Sequence, residues 1–267
     1  MNIHIDNKQY NNIIVAKHVK LPIGSVIYGL NDEHSDEDYL LIYQPFVHQI
    51  NNPFLNHHQF QYKENNIDYN LVDYVSFIKN LVSGDSTINF ELLWSDEFNN
   101  ENNQINWLSE YKNDFITYNI INAYIGFAKR DMKYFNKRTT DIDKKRGLVH
   151  IKRCILFATE LLYDNNLTLK NEKLLEYKKY LTNIEKINNS ILMGDSGFFK
   201  YYKNKLELLK KELNLRLENK TINRFLNPEK QESIVNKLNY STTIRKTCSV
   251  IDLSKIYLAN ENGQVNY

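Results

Sequence analysis

The chain has 267 residues, of which 42% are apolar and 25% charged, an ordinary globular usage that excludes a disordered tail and a disulfide-stapled miniature scaffold. No window approaches the run of about 18 apolar residues that a membrane-spanning helix needs, and two cysteines, Cys154 and Cys248, cannot form a disulfide framework, so a cytoplasmic protein with no membrane partner is expected. The net charge of +2 conceals a split: residues 1–110 hold 5 Lys/Arg and 15 Asp/Glu, net −10, whereas the remainder holds 29 and 17, net +12, with no arginine before Arg130. Such halves point to something cationic held by the first and something anionic by the second.

In chain order, Val19 to Ile23 reads as a short strand ending at Gly24-Ser25, and Tyr39 to Tyr43 is an apolar run of buried-strand type. Residues 47–65, rich in His and Asn, read as an exposed loop or hairpin; the adjacency of His57 and His58 argues against a zinc site there. Ile67 to Leu71 alternates apolar and polar residues, which predicts a third strand. Asp73 offers an N-cap for a helix through about Leu81, and Gly84-Asp85-Ser86 stops that helix and starts another. Beyond residue 100 the pattern turns helical: Trp107 to Phe135, Gly147 to Leu162, Glu172 to Leu181 and Phe198 to Leu217 place apolar residues three and four apart. The last of these carries a basic face from Lys203 to Arg216, and Glu229 to Leu238 is a weaker helix. The predicted class is α+β, a small mixed sheet with helices over residues 1–100 followed by an all-helical, basic domain over 101–267, with a nucleotide lying in the cleft between them.

One segment stands apart. Gly24-Ser25 follows a strand and is expected to open a short helix, where backbone N–H groups and the Ser25 hydroxyl can hold phosphate oxygens. Further on, Asp36 and Asp38 stand two apart at the head of an apolar strand, a period that puts both carboxylates on one face. Two carboxylates so close ask for a cation, and oxygen-only ligation favours Mg²⁺ or Mn²⁺. A third carboxylate on a neighbouring strand would complete a two-ion site that activates an attacking oxygen and neutralises a leaving pyrophosphate; Asp68 is the best-placed candidate and Asp73 the runner-up. A lone Gly-Ser is an ordinary turn and a lone Asp-x-Asp a solvated strand end. The combination, leading into an apolar strand, is what singles the segment out.

The run GSVIYGLNDEHSDEDYLLIY, residues 24–43, resembles the signature of the polymerase β-like nucleotidyltransferase superfamily. More narrowly, it is similar to the bacterial and phage family named for an RNA repair pathway with a polymerase β-type core. Asp73 to Leu81, Gly84 to Leu93, Ala123 to Lys129, and His150 to Arg153 with Leu161-Leu162 continue the likeness. Val26 stands where that family usually has Arg, Glu37 where it has an apolar residue, and Gly84-Asp85-Ser86 lacks its proline. The resemblance implies an NTP substrate, two Mg²⁺ or Mn²⁺ ions on Asp36, Asp38 and Asp68, and nucleotide contacts from Gly24, Ser25, Lys129, His150 and Arg153. Each of the last three also reads as an ordinary helix residue.

The leading expectation is transfer of a nucleoside monophosphate from an NTP to an acceptor hydroxyl with release of pyrophosphate. The family resemblance and the +12 half make an RNA 3′ end the first choice of acceptor. A protein side chain or small molecule as acceptor is the second reading, and a catalytically inert nucleotide- or nucleic-acid-binding module the third.

Overall fold

A computed structural model of the chain describes residues 3–4, 10, 18–32, 35–44, 59–65, 67–184 and 197–240. The histidine-rich stretch up to residue 58 and the end beyond residue 240 lie outside the described residues. Two compact units emerge, one of Met1–Ile27, Asn31–Phe115 and Phe225–Tyr267, the other of Tyr28–Leu30 and Ile116–Arg224.

The first unit contains strands β1 (Ile3–His4), β2 (His18–Pro22), β3 (Glu37–Tyr43), β4 (Gln59–Glu64) and β5 (Ile67–Asp73), in the sheet order β1-β4-β5-β3-β2. β3 and β5 run parallel, and β2 and β4 flank them antiparallel. Leu40 to Tyr43 are all buried, so β3 is covered on both faces; that is why it reads as a continuous apolar run rather than an alternation. β4 and β5 form a hairpin that turns at Asn65, φ 48°, a left-handed conformation that asparagine tolerates. The chain leaves β5 straight into helix α1 (Tyr74–Ser83). Asp73 caps it by accepting from Ser76 N at 2.9 Å, and Gly84, φ 70°, ends it with its N–H returned to Leu81. Helix α2 (Thr87–Leu92) follows from its own cap, Ser86, and the buried Asn89 amide donates to Phe77 O, tying α2 to α1. A 3₁₀ turn (Asn106–Tyr111) and the helix Pro228–Tyr240 complete the unit, joined by Tyr111–Ser233 at 3.0 Å and the ion pairs Lys230–Asp114 and Lys237–Glu110.

The second unit is helical: α3 (Tyr118–Tyr134), α4 (Asp141–Tyr163), α5 (Glu172–Thr182) and α6 (Phe198–Glu218). α3 and α4 form a helical hairpin, and Thr140 starts α4 by accepting from Asp143 N at 3.0 Å while donating to its carboxylate at 2.6 Å. Phe157 stands at the centre, fully buried, edge-on to Tyr124 at 5.8 Å and tilted against Tyr28 at 6.0 Å.

The described elements are a mixed α+β set, as expected, with only helices beyond residue 100. Two local expectations fail. Gly24-Ser25 opens no helix; residues 24–29 form turns bounded by left-handed backbone at Gly24 (φ 69°) and Gly29 (φ 65°), a conformation that a right-handed helix does not contain. The stretch from Trp107 to Phe135 is not one helix either. It breaks between Lys112 and Thr117, where Phe115 is buried and Thr117 is extended at φ −116°, ψ 165°.

Candidate active site

Strand register builds this site. In the parallel β3–β5 ladder Asp38 lies directly opposite Asp68, and in the antiparallel β4–β5 ladder Asp68 lies directly opposite Lys63, so the three side chains form one row across the sheet. The next row, Tyr39, Tyr69 and Tyr62, falls on the other face by the two-residue period of strands. Tyr69 stacks on both neighbours at 5.9 Å, Tyr10 stacks on Tyr62 at 4.1 Å, and the Lys20 ammonium sits 3.8 Å over the Tyr39 ring. Glu37 belongs to this aromatic face, where the Tyr39 hydroxyl donates to it at 3.3 Å, and so stays out of the aspartate row. Asp36 precedes β3 by one residue and is exposed. The loop leading to it is closed by Asp32 and Ser35, the Asp32 N–H donating to the Ser35 hydroxyl at 2.8 Å and that hydroxyl to the Asp32 carboxylate at 3.0 Å.

Burial pushes the Asp38 carboxyl above the usual carboxylate range; the charges of Asp68 and Asp36 push it further, and Lys63 draws it back. The Lys63 ammonium lies 3.1 Å from one Asp68 oxygen and 3.2 Å from the other. Gly24 joins the row from the turn: a Cβ at this position would come within 3.0 Å of an Asp38 carboxylate oxygen, and the adjacent Ile23 N–H donates to Asp38 O at 2.9 Å. Glycine suits position 24 through its left-handed backbone, and it leaves the Asp38 carboxylate free to lie against the turn. The fold thus places the Gly24-Ser25 turn against the Asp38–Asp68 row, and leaves Asp36 at the strand entrance. Among the described residues no three His, Cys, Asp or Glu side chains are placed to hold one metal ion. The donors fit a divalent cation in kind, being carboxylate oxygens close enough to repel one another, with Asp38 and Asp68 as the built pair.

Lys129, His150 and Arg153 belong to the helical unit, and each has its own local engagement. Lys129 pairs with Glu207 at 2.8 Å across α3 and α6 and holds that carboxyl below its ordinary range. The Arg153 guanidinium lies 4.0 Å over the buried ring of Tyr28. His150 Nδ1 meets Asp131 Oδ2 at 2.7 Å, and Arg138 and Arg130 approach the same carboxylate at 3.4 Å. Gly147 makes this cluster possible, since a Cβ there would fall 2.6 Å from Arg138 Nε.

Sequence reasoning missed Lys63 and Asp131. A hairpin read through Asn65 would have set Lys63 opposite Asp68, and Asp131 interrupts the apolar spacing Ile121, Tyr124, Ala128, Phe135 of α3, the mark of a buried charge. Burial alone would raise the Asp131 carboxyl, but the hydrogen bond and charge of His150 and the charges of Arg138 and Arg130 hold it below the usual range. A carboxyl lowered by folding stabilises the protein above its unfolded value and stops doing so as pH falls through its folded one. Asp131→Asn is therefore expected to cost about 1.5–3 kcal/mol at neutral pH, the scale of a hydrogen bond to a charged group. In thermal melts the gap to wild type should be full above about pH 4 and close on further acidification.

Neither a protein-family profile nor a curated protein matches this sequence. Among solved structures, the chain is similar to the crystal structure of a nucleotidyltransferase-like protein from Exiguobacterium sibiricum, with 11% identity over 76% of this chain and 69% of that one and a TM-score of 0.28.

Proposed function

We propose that this chain is a nucleotidyltransferase that moves a nucleoside monophosphate from an NTP to an acceptor hydroxyl. The observation that carries the reading is the juxtaposition of the Gly24-Ser25 turn with the Asp38–Asp68 row. In this reading the turn's N–H groups and the Ser25 hydroxyl hold the β and γ phosphates, with glycine keeping the backbone close to them. Asp36, Asp38 and Asp68 hold divalent ions, Mg²⁺ or Mn²⁺, and Asp68 orients the acceptor hydroxyl or takes its proton. Ions bound there would neutralise the triphosphate and acidify the acceptor. An RNA 3′ end is the favoured acceptor, from the +12 charge of residues 111–267.

Incubation with each labelled NTP, Mg²⁺ and total RNA tests reaction, base and acceptor together. Label that becomes RNase-sensitive, with pyrophosphate released, supports the reading; label that survives RNase but not protease moves the acceptor to protein. No pyrophosphate from any NTP with either acceptor pool overturns transfer. One observation favours a second reading, an inert nucleotide-binding module: Lys63 already gives Asp68 a cation of its own. Calorimetric NTP binding without turnover would select it.

A further inference from the structure

We propose that the exposed patch of Arg130, Lys133 and Tyr134 at the end of α3 and Lys137 in the 3₁₀ turn after it (Phe135–Lys137) is a docking surface for single-stranded nucleic acid. This deepens the RNA-acceptor reading and rests on it for its biological sense. Three observations converge. First, the spacing of three and four residues puts Arg130, Lys133 and Tyr134 on one face of α3, Lys137 follows in the 3₁₀ turn Phe135–Lys137 with its ammonium near the Tyr134 ring, and all four are exposed, Tyr134 at 43% of its surface. Gly126, one turn earlier, is exposed with nothing within 4 Å of where a Cβ would stand, so the stripe continues into open backbone. Second, an aromatic ring is set among the cations: the Lys137 and Lys133 ammoniums lie 4.8 and 5.6 Å from the Tyr134 ring centroid.

Third, two of the three cations of the stripe have no carboxylate beside them; Arg130 is the exception, 3.4 Å from Asp131. Lys63, Lys129, Lys230 and Lys237 each sit on a carboxylate, whereas among the described residues Lys133 and Lys137 meet none. The one acidic residue of α3, Asp131, is buried and already engaged by Arg130, Arg138 and His150. Two neighbouring lysines without local counter-charge, next to an exposed ring, suit a polyanion. The exposed ring narrows the polyanion to one whose bases are free to stack, because a duplex offers phosphates but keeps its bases paired.

The test is anisotropy of a labelled single-stranded RNA 20-mer on the full chain, without NTP or metal, across a salt series. Lys133→Glu/Lys137→Glu is expected to weaken binding by at least about tenfold and to flatten the salt slope by roughly 1.4, the loss of two phosphate contacts on a single strand. Tyr134→Ala should weaken it by about tenfold, while Tyr134→Phe should not, because stacking needs the ring and not the hydroxyl. Lys79→Glu, an exposed lysine of the other unit, serves as the charge control. Equal loss in that control, an unchanged slope in the double variant, or equally tight binding of a duplex or of polyglutamate overturns the proposal. A single-stranded DNA arm tells whether the 2′-hydroxyl is read. Absence of RNA binding with pyrophosphate still released from NTP would sink the docking surface alone, and RNA binding without turnover would sink the transferase reading alone.

Discussion

Asp38→Asn is expected to abolish nucleotidyl transfer while leaving the protein folded and at least as heat-resistant as wild type. The variant keeps the shape of the side chain, and its backbone carbonyl still accepts from the Ile23 N–H. What it removes is a charge that burial and the neighbouring Asp68 and Asp36 all oppose. A structural aspartate of that kind would have no reason to persist in so unfavourable a row, so losing it relieves the fold. For transfer the same charge is the means of holding cations against a triphosphate. Several kcal/mol of transition-state stabilisation depend on it, which is on the order of a thousandfold or more in rate. Pyrophosphate release together with a melting curve checks both halves. Retained turnover in Asp38→Asn and in Asp68→Asn would remove the row from the mechanism, whatever the melts show.

Phe157→Ala is expected to give the largest loss of stability among single changes in the helical unit, about 3–5 kcal/mol, the usual scale for truncating a fully buried phenylalanine. Its ring is fully buried and serves two neighbours at once, Tyr124 of α3 and Tyr28 of the segment Tyr28–Leu30. Truncation therefore opens a cavity and also takes the support from under the ring on which Arg153 rests. Urea denaturation gives the magnitude from the midpoint at unchanged slope. Leu208→Ala, at an exposed position of α6, should stay within about 0.5 kcal/mol of wild type. If the two variants cost the same, Phe157 is not the centre of this core.

What could be read from the sequence was what is decided locally. The apolar run Tyr39 to Tyr43 can be covered only by burial on both faces, and Asp73 and Gly84 announce the ends of α1 because caps act within one turn of chain. β4 stayed hidden in a polar stretch, since Phe60 and Tyr62 become strand residues only by meeting Leu71 and Tyr69 across the hairpin. Register was likewise beyond periodicity. The two-residue spacing of Asp36 and Asp38 predicts a shared face, but β3 begins at Glu37, so Asp36 stands outside the ladder and Asp38's nearest carboxylate across the sheet comes from β5. The helix expected at Gly24-Ser25 fails for a related reason: glycine there serves a left-handed turn against Asp38, a contact made thirteen and fourteen positions along the chain from those two residues.

The segment Tyr28–Leu30 belongs to the helical unit although the chain on both sides of it belongs to the sheet unit, and the sheet unit in turn takes its last helix from beyond residue 225. Tyr28 is held beneath Arg153, Gly29 lies against Leu175, and the Leu30 carbonyl accepts from Lys178. Consider such a chain emerging from the ribosome. When its strands appear the sheet unit is still incomplete, since Tyr111 and Glu110 await Ser233 and Lys237. The helical unit has all of its chain by residue 224, whereas the sheet unit, whose strands are made first, is complete only after Pro228–Tyr240 has followed. The half made first is thus the half completed last, and a break at residue 115 would separate each unit from a piece of itself.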